Sequence, residues 1–339
     1  MRKPDFEQLL NILSKTAPDR PTLFEFFLND PLYQRLCGYQ ITAENRPQAM
    51  ADAFAAAGYD YCTTAGYGIF FPKASRHSEK SISLNEGAMI ASWDEYENYP
   101  WPDADTADYS VLNDIRLPDG MKIIVHGPCG VLENTIQLVG YDNLCMMVFD
   151  QPDLVKAIAD RIGGCLLNHY HRCLEFDRVG AAISNDDWGF QQQPMLSPED
   201  MRNYIVPWHK KIVEAIHAAG RPAIMHSCGN VFDCGLIDDV IDICKYDARH
   251  SYEDKILPVE KAWQTYHDRI AILGGIDLDF LCRKSPGEIR QRAERLLEPT
   301  AAGGYALGSG NSIPEYVPVE NYFAMISAAT GMDYSGFLK

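Results

Sequence analysis

The chain has 339 residues, 46% of them hydrophobic and 23% charged, so it can bury a large core and is not a disordered chain. A formal net charge of −17 at pH 7 repels phosphate backbones, which argues against nucleic-acid binding. No apolar stretch reaches the roughly 18 residues of a membrane-spanning helix, so we expect no membrane segment.

The first residues predict an amphipathic surface helix instead of a secretory signal, because Leu9, Leu10, Ile12 and Leu13 stand among polar and charged residues. Ten cysteines are scattered without a disulfide-framework spacing. Together these features predict reduced thiols and a cytoplasmic protein.

Short apolar runs that end in polar or glycine-rich loops alternate with helical patterns, which predicts parallel strands joined by helices. The predicted strands are 59–63, 122–125, 181–184, 222–225, 243–246, 270–273 and 305–307. An eighth strand is predicted near 81–84.

The helices between these strands carry recognisable start signals. Ser197 followed by Pro198 predicts an N-cap, and this helix should kink at Pro207 and stop at Gly220. Ser285 followed by Glu288 predicts a capping box.

Polar residues gather directly after the predicted strands, and in a parallel α/β barrel these loops share one face. We therefore predict a (βα)₈ TIM barrel, formed as a single domain over residues 1–339 with an N-terminal helical extension. A doubly wound open sheet is the structural alternative, but no Gly-x-Gly-x-x-Gly turn follows the first predicted strand.

The pattern His226-Ser-Cys228 follows a predicted strand, where residues i and i+2 point to the same side. Imidazole and thiolate are both good zinc ligands, so this spacing can place His226 and Cys228 on one ion. A buried histidine next to a buried cysteine is the alternative interpretation.

Three motifs, MHSCGN at 225–230, NDDWG at 185–189 and PEYVPVEN at 314–321, resemble the uroporphyrinogen decarboxylase superfamily. The branch that the chain resembles most is that of corrinoid-dependent methyltransferases such as the methylcobamide:coenzyme M methyltransferases. The resemblance runs from about 58 to 328. It implies the barrel fold, bound Zn²⁺ and a homodimer.

Those methyltransferases hold zinc with His-x-Cys on one strand and a second cysteine on the last strand. His226 and Cys228 match the first two ligands, whereas Ser309 stands at the position where the second cysteine is expected. Serine is a poor zinc ligand, so the third ligand is left open. The candidates are Cys234, Glu253, Asp277, Asp187 and Glu133.

Other residues after the strands are candidates for the same pocket. We expect catalytic roles for Asp187, Glu253 and Asp277, although Asp277 could be a helix N-cap. We expect substrate contacts from a larger set, which could instead be loop or core residues: His126, Glu133, Asp186, Trp188, Tyr67, His250, Ser309 and Asn311. His250 and Glu253 could also orient a ligand histidine.

The resemblance implies a zinc-dependent methyltransferase that moves a methyl group between a small methoxylated or methylated donor and a corrinoid (cobalamin). The chain has no Asp-x-His-x-x-Gly pattern for corrinoid binding, so a separate corrinoid protein is expected as partner.

The alternatives are a decarboxylase of a porphyrinogen or small carboxylic acid and a non-catalytic binding protein. The decarboxylases of the superfamily carry an arginine-rich segment that grips carboxylates. The matching region here, 19–25, has Arg20 as its one arginine, which disfavours a polycarboxylate substrate.

Overall fold

Within the described residues, seven strands form one parallel sheet in sequence order. The computed structural model describes residues 2–66, 68–73, 84–85 and 87–338. In this part of the chain the strands are β1 Tyr61–Thr64, β2 Lys122–His126, β3 Val179–Asn185, β4 Ala223–His226, β5 Ala248–His250, β6 Ala271–Leu273 and β7 Tyr305–Ala306. Each strand pairs in parallel with the next one. The predicted alternation of strands and helices is confirmed.

Two strand predictions differ from the structure. The run 243–246 is not a strand, because the chain there leaves a π-helical turn, Asp239–Ile243, and the strand forms at Ala248–His250. The apolar residues Cys244 and Tyr246 made this run look like a strand, but they are buried at the end of that turn. Of the predicted eighth strand, 81–83 lie outside the described residues, and Leu84 lies in a turn.

A segment near the N-terminus takes the place of an eighth strand. Leu23 forms a parallel bridge with Leu307, directly after β7. On the other side, Tyr61 of β1 donates its hydroxyl to Glu25 O at 2.7 Å, and Thr63 donates to Phe26 O at 2.8 Å. The segment 22–26 therefore lies against both edges of the sheet, as in a barrel.

Helices cover the sheet between successive strands. In the described ranges they are α1 Phe6–Leu13, α2 Asp30–Cys37, α3 Arg46–Ala57, α4 Trp93–Asn98, α5 Val111–Asp114, α6 Val131–Val139, α7 Tyr141–Asp150, α8 Pro152–Leu174, α9 Pro198–Asp200, α10 Val206–Ala218, α11 Leu236–Asp238, α12 Val259–Tyr266, α13 Leu278–Arg283, α14 Pro286–Thr300 and α15 Val319–Thr330. A second π-helical turn, Met201–Ile205, and a 3₁₀ turn, Ser335–Phe337, complete the set. None of these helices is long and apolar enough to cross a membrane.

The predicted helix starts are confirmed. Ser197 accepts a hydrogen bond from Asp200 N, and Ser285 forms a capping box with Glu288. Pro207 follows the π-helical turn Met201–Ile205, which interrupts the regular hydrogen bonding where the proline cannot donate.

The register of the strands brings polar residues to one level at the carboxyl end of the sheet. Asn185 pairs with His226, and His226 pairs with His250. His126, at the end of β2, pairs with Ile183 two residues before Asn185. Three predicted site residues, His126, His226 and His250, therefore lie at this end of the sheet.

Candidate metal centre

The side chains of His226 and Cys228 converge as their spacing predicts. His226 ends β4, and its Nε2 lies 3.9 Å from Cys228 Sγ. The loop that continues beyond Cys228 packs closely against the loop after β3. A Cβ at Gly229, whose φ is +90°, would lie 2.0 Å from Gly189 O, so the loop needs glycine there.

Asp187 completes a group of three ligand-type side chains. Its carboxylate accepts a hydrogen bond from Cys228 N at 2.7 Å. Within the described residues, Asp187, His226 and Cys228 each place one ligand atom within 4.8 Å of the others. Of the five candidates for a third ligand, Asp187 is the one that joins His226 and Cys228 in this group.

His250 fixes the orientation of the His226 ring. The Nδ1 atoms of the two rings lie 2.8 Å apart, and His250 Nε2 lies 3.3 Å from the backbone oxygen of Ser309. Since a carbonyl accepts, His250 Nε2 carries the hydrogen and its Nδ1 accepts from His226 Nδ1. The lone pair of His226 Nε2 is then available to a metal, since a ligating histidine usually donates its other ring N–H to a partner that fixes the ring orientation.

Burial keeps both histidines neutral. Burial lowers the pKa of His226 to about 3, and Arg249 and His126 act in the same direction. Burial also lowers the pKa of His250 well below its ordinary value, and His226 adds to this shift. No proton therefore competes with a metal for His226 near neutral pH.

Two donors approach the sulfur of Cys228. Asn311 Nδ2 lies 3.1 Å and Ser251 Oγ 3.6 Å from Sγ. Burial, reinforced by the charge of Asp187, raises the pKa of the Cys228 thiol. A bound cation would favour the thiolate instead, and it would release a proton on binding.

Asp186 connects strand β3 to the helix layer. It is fully buried, and its carboxylate accepts from Leu132 N and Glu133 N, both at 2.9 Å, in the first turn of α6. It also bonds to His209 Nε2 at 2.8 Å and to Trp188 Nε1 at 3.3 Å. Asp186 and the fully buried Trp188 thus lie behind the pocket wall. His209 was not predicted, since it lies mid-helix without any motif.

Glu133 and His126 lie on the β2 side of the site. Burial, together with the charges of Asp186 and Asp187, raises the pKa of Glu133 to about 8. His126 packs its ring edge-on against Phe26 and Phe27, at centroid distances of 5.0 and 5.4 Å. Burial lowers the pKa of His126 to about 4.

Asp277 and Glu253 lie on the other side of the site. Asp277 caps α13 by accepting from Asp279 N and Phe280 N, and it also accepts from Asp254 N. Glu253 is partly buried, and burial followed by the charges of Asp277 and Asp187 raises its pKa. A cavity of about 220 Å³ lies here, with a lining that includes Tyr252, Glu253, Lys255, Asp277 and Asn311.

Ser309 is buried against a carboxyl group that the sequence did not single out. Its N–H lies 2.6 Å from Glu25 Oε1, and its hydroxyl lies 2.8 Å from Glu25 Oε2. The hydroxyl thus bonds to Glu25, and Ser309 is outside the group formed by His226, Cys228 and Asp187. Gly308 allows this close approach, because a Cβ there would lie 1.7 Å from Phe24 O. Tyr67 lies outside the described residues.

Comparisons with known proteins agree with this fold. A sequence model of the family described as Uroporphyrinogen decarboxylase (URO-D) matches residues 124–332. A uroporphyrinogen decarboxylase from Koribacter versatilis is 27% identical over 127 residues, which are 37% of this chain and 34% of that protein. The chain thus spans about a third of the length of the curated relative it matches.

A solved structure resembles almost the whole chain. It is a methyltransferase from Methanosarcina mazei, with a TM-score of 0.69 and 17% identity. The alignment covers 96% of this chain and 97% of that one. At this level of identity, the similarity establishes a shared fold.

Proposed function

This chain belongs to the uroporphyrinogen decarboxylase family, and from that premise we propose that it is a zinc-dependent methyltransferase. It would move a methyl group between a small methylated or methoxylated donor and the corrinoid of a separate protein. The observation that carries the proposal is the group of Asp187, His226 and Cys228 at the carboxyl end of the sheet. The fold shared with a methyltransferase adds support.

The donor atoms of this group fit zinc. A carboxylate oxygen, an imidazole nitrogen and a sulfur are the ligand types that zinc prefers, and three protein ligands leave a position open for a substrate. His226, Cys228 and Asp187 would hold the ion. When bound, zinc supplies a Lewis acid that polarises the leaving group of a methyl donor or binds a thiol acceptor.

The surrounding residues would orient the donor and handle protons. His250 holds the His226 ring through Nδ1, so that the lone pair of His226 Nε2 points away from His250. Glu133, next to the two aspartates, keeps its proton near neutral pH and is available to protonate the atom that leaves with the rest of the donor. Methyl transfer needs in-line displacement, so positioning is the main contribution of these residues.

Decarboxylation is the second candidate, because the family and the matched relative carry that name. Decarboxylation of a porphyrinogen requires cations that bind several carboxylates. Arg20 pairs with Asp60 at 2.6 Å, and the buried Arg249 donates to the backbone oxygens of Ser227 and Ser251. Of the residues lining the described cavity, Lys255 is the basic one. These pairings disfavour a porphyrinogen or another polycarboxylate as substrate.

We also propose that the whole chain, 1–339, forms one domain and acts as a homodimer in the cytoplasm. Light scattering on the purified protein tests the dimer, and limited proteolysis tests the single domain. A monomer, or two stable fragments, would contradict the respective proposal.

The methyl transfer itself is tested with the zinc-loaded protein, a purified corrinoid protein and a panel of methyl ethers, methylamines and methyl thioethers. We expect at least one donor to methylate the corrinoid, as followed by its absorption spectrum. The Cys228→Ser variant should show no transfer. Absence of transfer with every donor, together with carbon dioxide release from a carboxylic acid, would favour the decarboxylase instead.

Replacing Asp187 by alanine should weaken zinc binding about 10- to 1,000-fold, because it removes one of three ligands. Competition with a chromophoric chelator measures the dissociation constant. Asp105→Ala is a matched control, since Asp105 is exposed and pairs with Arg172. Unchanged zinc affinity in Asp187→Ala would show that Asp187 is not a zinc ligand.

Replacing Ser309 by cysteine should not tighten zinc binding, and it should weaken it by up to about tenfold, although a cysteine is the expected ligand at this position. The reason is that the Ser309 side chain contacts Glu25, so the new sulfur would lie there. The same chelator competition measures the effect. A variant that binds zinc tenfold more tightly would place position 309 at the metal.

A further inference from the structure

Three short contacts surround the Ser309 side chain and amide. The N–H of Ser309 lies 2.6 Å from Glu25 Oε1. Its hydroxyl oxygen lies 2.8 Å from Glu25 Oε2 and 2.7 Å from the backbone oxygen of Asn311. All three contacts are within hydrogen-bond distance.

A count of hydrogens determines the charge of Glu25. A hydroxyl carries one hydrogen, and a backbone carbonyl can only accept. If Glu25 were ionised, one of the two contacts of the Ser309 hydroxyl would lack a hydrogen. If Glu25 is protonated, it donates to Ser309 Oγ, which donates to Asn311 O, and every contact is a hydrogen bond.

The surroundings of Glu25 agree with a neutral carboxyl. Glu25 is fully buried, and the buried titratable groups whose pKa its charge would raise are tyrosines: Tyr59, Tyr61, Tyr305 and Tyr322. Burial raises the pKa of Glu25 to about 8, and the two hydrogen bonds between Glu25 and Ser309 limit this rise. An ionised carboxylate in such a place would be strongly disfavoured.

The other end of this chain of hydrogen bonds is at the candidate metal centre. The side-chain oxygen of Asn311 accepts from Ser312 N at 2.8 Å, which turns its amide nitrogen toward Cys228 Sγ at 3.1 Å. The orientation of this amide therefore follows from its two neighbours. The backbone of the same residue is held by Ser309.

We propose that Glu25 is a positioning residue: as a neutral acid it donates to Ser309, which donates to Asn311, and this chain holds the Asn311 amide on the sulfur of Cys228. The inference deepens the proposed function, because it rests on Cys228 as a metal ligand. Outer partners of this kind typically change metal affinity about 10- to 100-fold.

Glu25→Gln and Glu25→Leu form the matched pair of variants that tests this hydrogen-bond chain. The glutamine amide can donate to Ser309 Oγ while its oxygen accepts from Ser309 N, as the neutral acid does. Chelator competition should therefore give a zinc dissociation constant within about twofold of wild type for Glu25→Gln and about tenfold weaker for Glu25→Leu. If Glu25→Gln binds zinc as weakly as Glu25→Leu does, the proposal is wrong.

Two further variants keep the test valid if Glu25→Leu does not fold, as judged by circular dichroism. Ser309→Ala removes one oxygen, and Asn311→Ala removes the amide. Each should weaken zinc binding about tenfold, and the double variant should be no weaker than either single one, since both act through one chain. Unchanged zinc affinity in Ser309→Ala would contradict the proposed hydrogen-bond chain. So would a double variant whose loss of zinc affinity equals the sum of the two single losses.

A metal-free readout separates this inference from the proposed function. Alkylation of Cys228 by iodoacetamide, followed by mass spectrometry of its peptide, should be at least about threefold slower in Ser309→Ala and Asn311→Ala, because donors to sulfur favour the thiolate. The rate in Glu25→Gln should match wild type. If the wild-type protein binds no zinc but these rates are observed, the proposed function is wrong, whereas the hydrogen-bond chain from Glu25 to Asn311 is supported. Equal alkylation rates in all variants would contradict the proposed hydrogen-bond chain.

Discussion

Replacing Asp186 by alanine is expected to lower the free energy of unfolding by about 3–5 kcal/mol. The substitution removes a fully buried carboxylate and leaves four donors without their acceptor: Leu132 N, Glu133 N, His209 Nε2 and Trp188 Nε1. Two of these donors belong to the first turn of α6, so the attachment of this helix to β3 would loosen. Urea unfolding followed by circular dichroism measures the change.

Asp279→Ala is the control for this prediction, because that carboxylate is 59% exposed in its pair with Arg283. It should change the unfolding free energy by less than about 1 kcal/mol. Asp186→Asn, which keeps an acceptor of the same shape, should fall between the two. An Asp186→Ala protein within about 1 kcal/mol of wild type would show that its bonds contribute little.

Replacing Glu25 by glutamine should change how stability depends on pH. The pKa of Glu25 is about 8 in the folded protein, against about 4.3 in an unfolded chain. Between these values the folded state holds one more proton, so the wild-type unfolding free energy falls as pH rises, by about 1.4 kcal/mol per unit from this group. Glutamine does not titrate. From pH 5 to pH 7 the variant should therefore gain about 2–3 kcal/mol relative to wild type.

Urea unfolding of both proteins at several pH values measures this difference. Glu133, whose pKa is also about 8, is present in both proteins, so its contribution cancels in the comparison. Parallel stability curves from pH 5 to pH 7 would mean that Glu25 is ionised in the folded protein, contrary to the hydrogen count at Ser309.

The strand–helix alternation could be predicted from the sequence because buried parallel strands are short apolar runs with polar ends. The convergence of His226 and Cys228 follows from the same local rule, since alternate residues at a strand end share a side. The strand at Ala248–His250 was misplaced because Arg249 interrupts its apolar pattern. The structure explains this arginine, which is buried over the rings of Phe232 and Tyr252.

The third member of the metal group could not be chosen from the sequence. Asp187 and the other four candidates all follow predicted strands, and their distances depend on how far each loop turns back over the sheet. Ser309 could not be placed from the sequence either. Its position along the chain suggested that it lies at the metal, whereas its hydroxyl bonds to Glu25. A signal for Glu25 was present: it is an acid within the apolar run of Leu23, Phe24 and Phe26, where a charge is costly.

The most direct test of the metal centre is elemental analysis of the protein purified without chelators, together with its His226→Ala and Cys228→Ala variants. Cys234→Ala is the control, because Cys234 is outside the group of His226, Cys228 and Asp187. We predict about one zinc per chain in wild type and in the control, and none in the other two variants. Wild-type protein without zinc even after zinc is added back, or His226→Ala and Cys228→Ala proteins that keep it, would contradict the proposed zinc-dependent function.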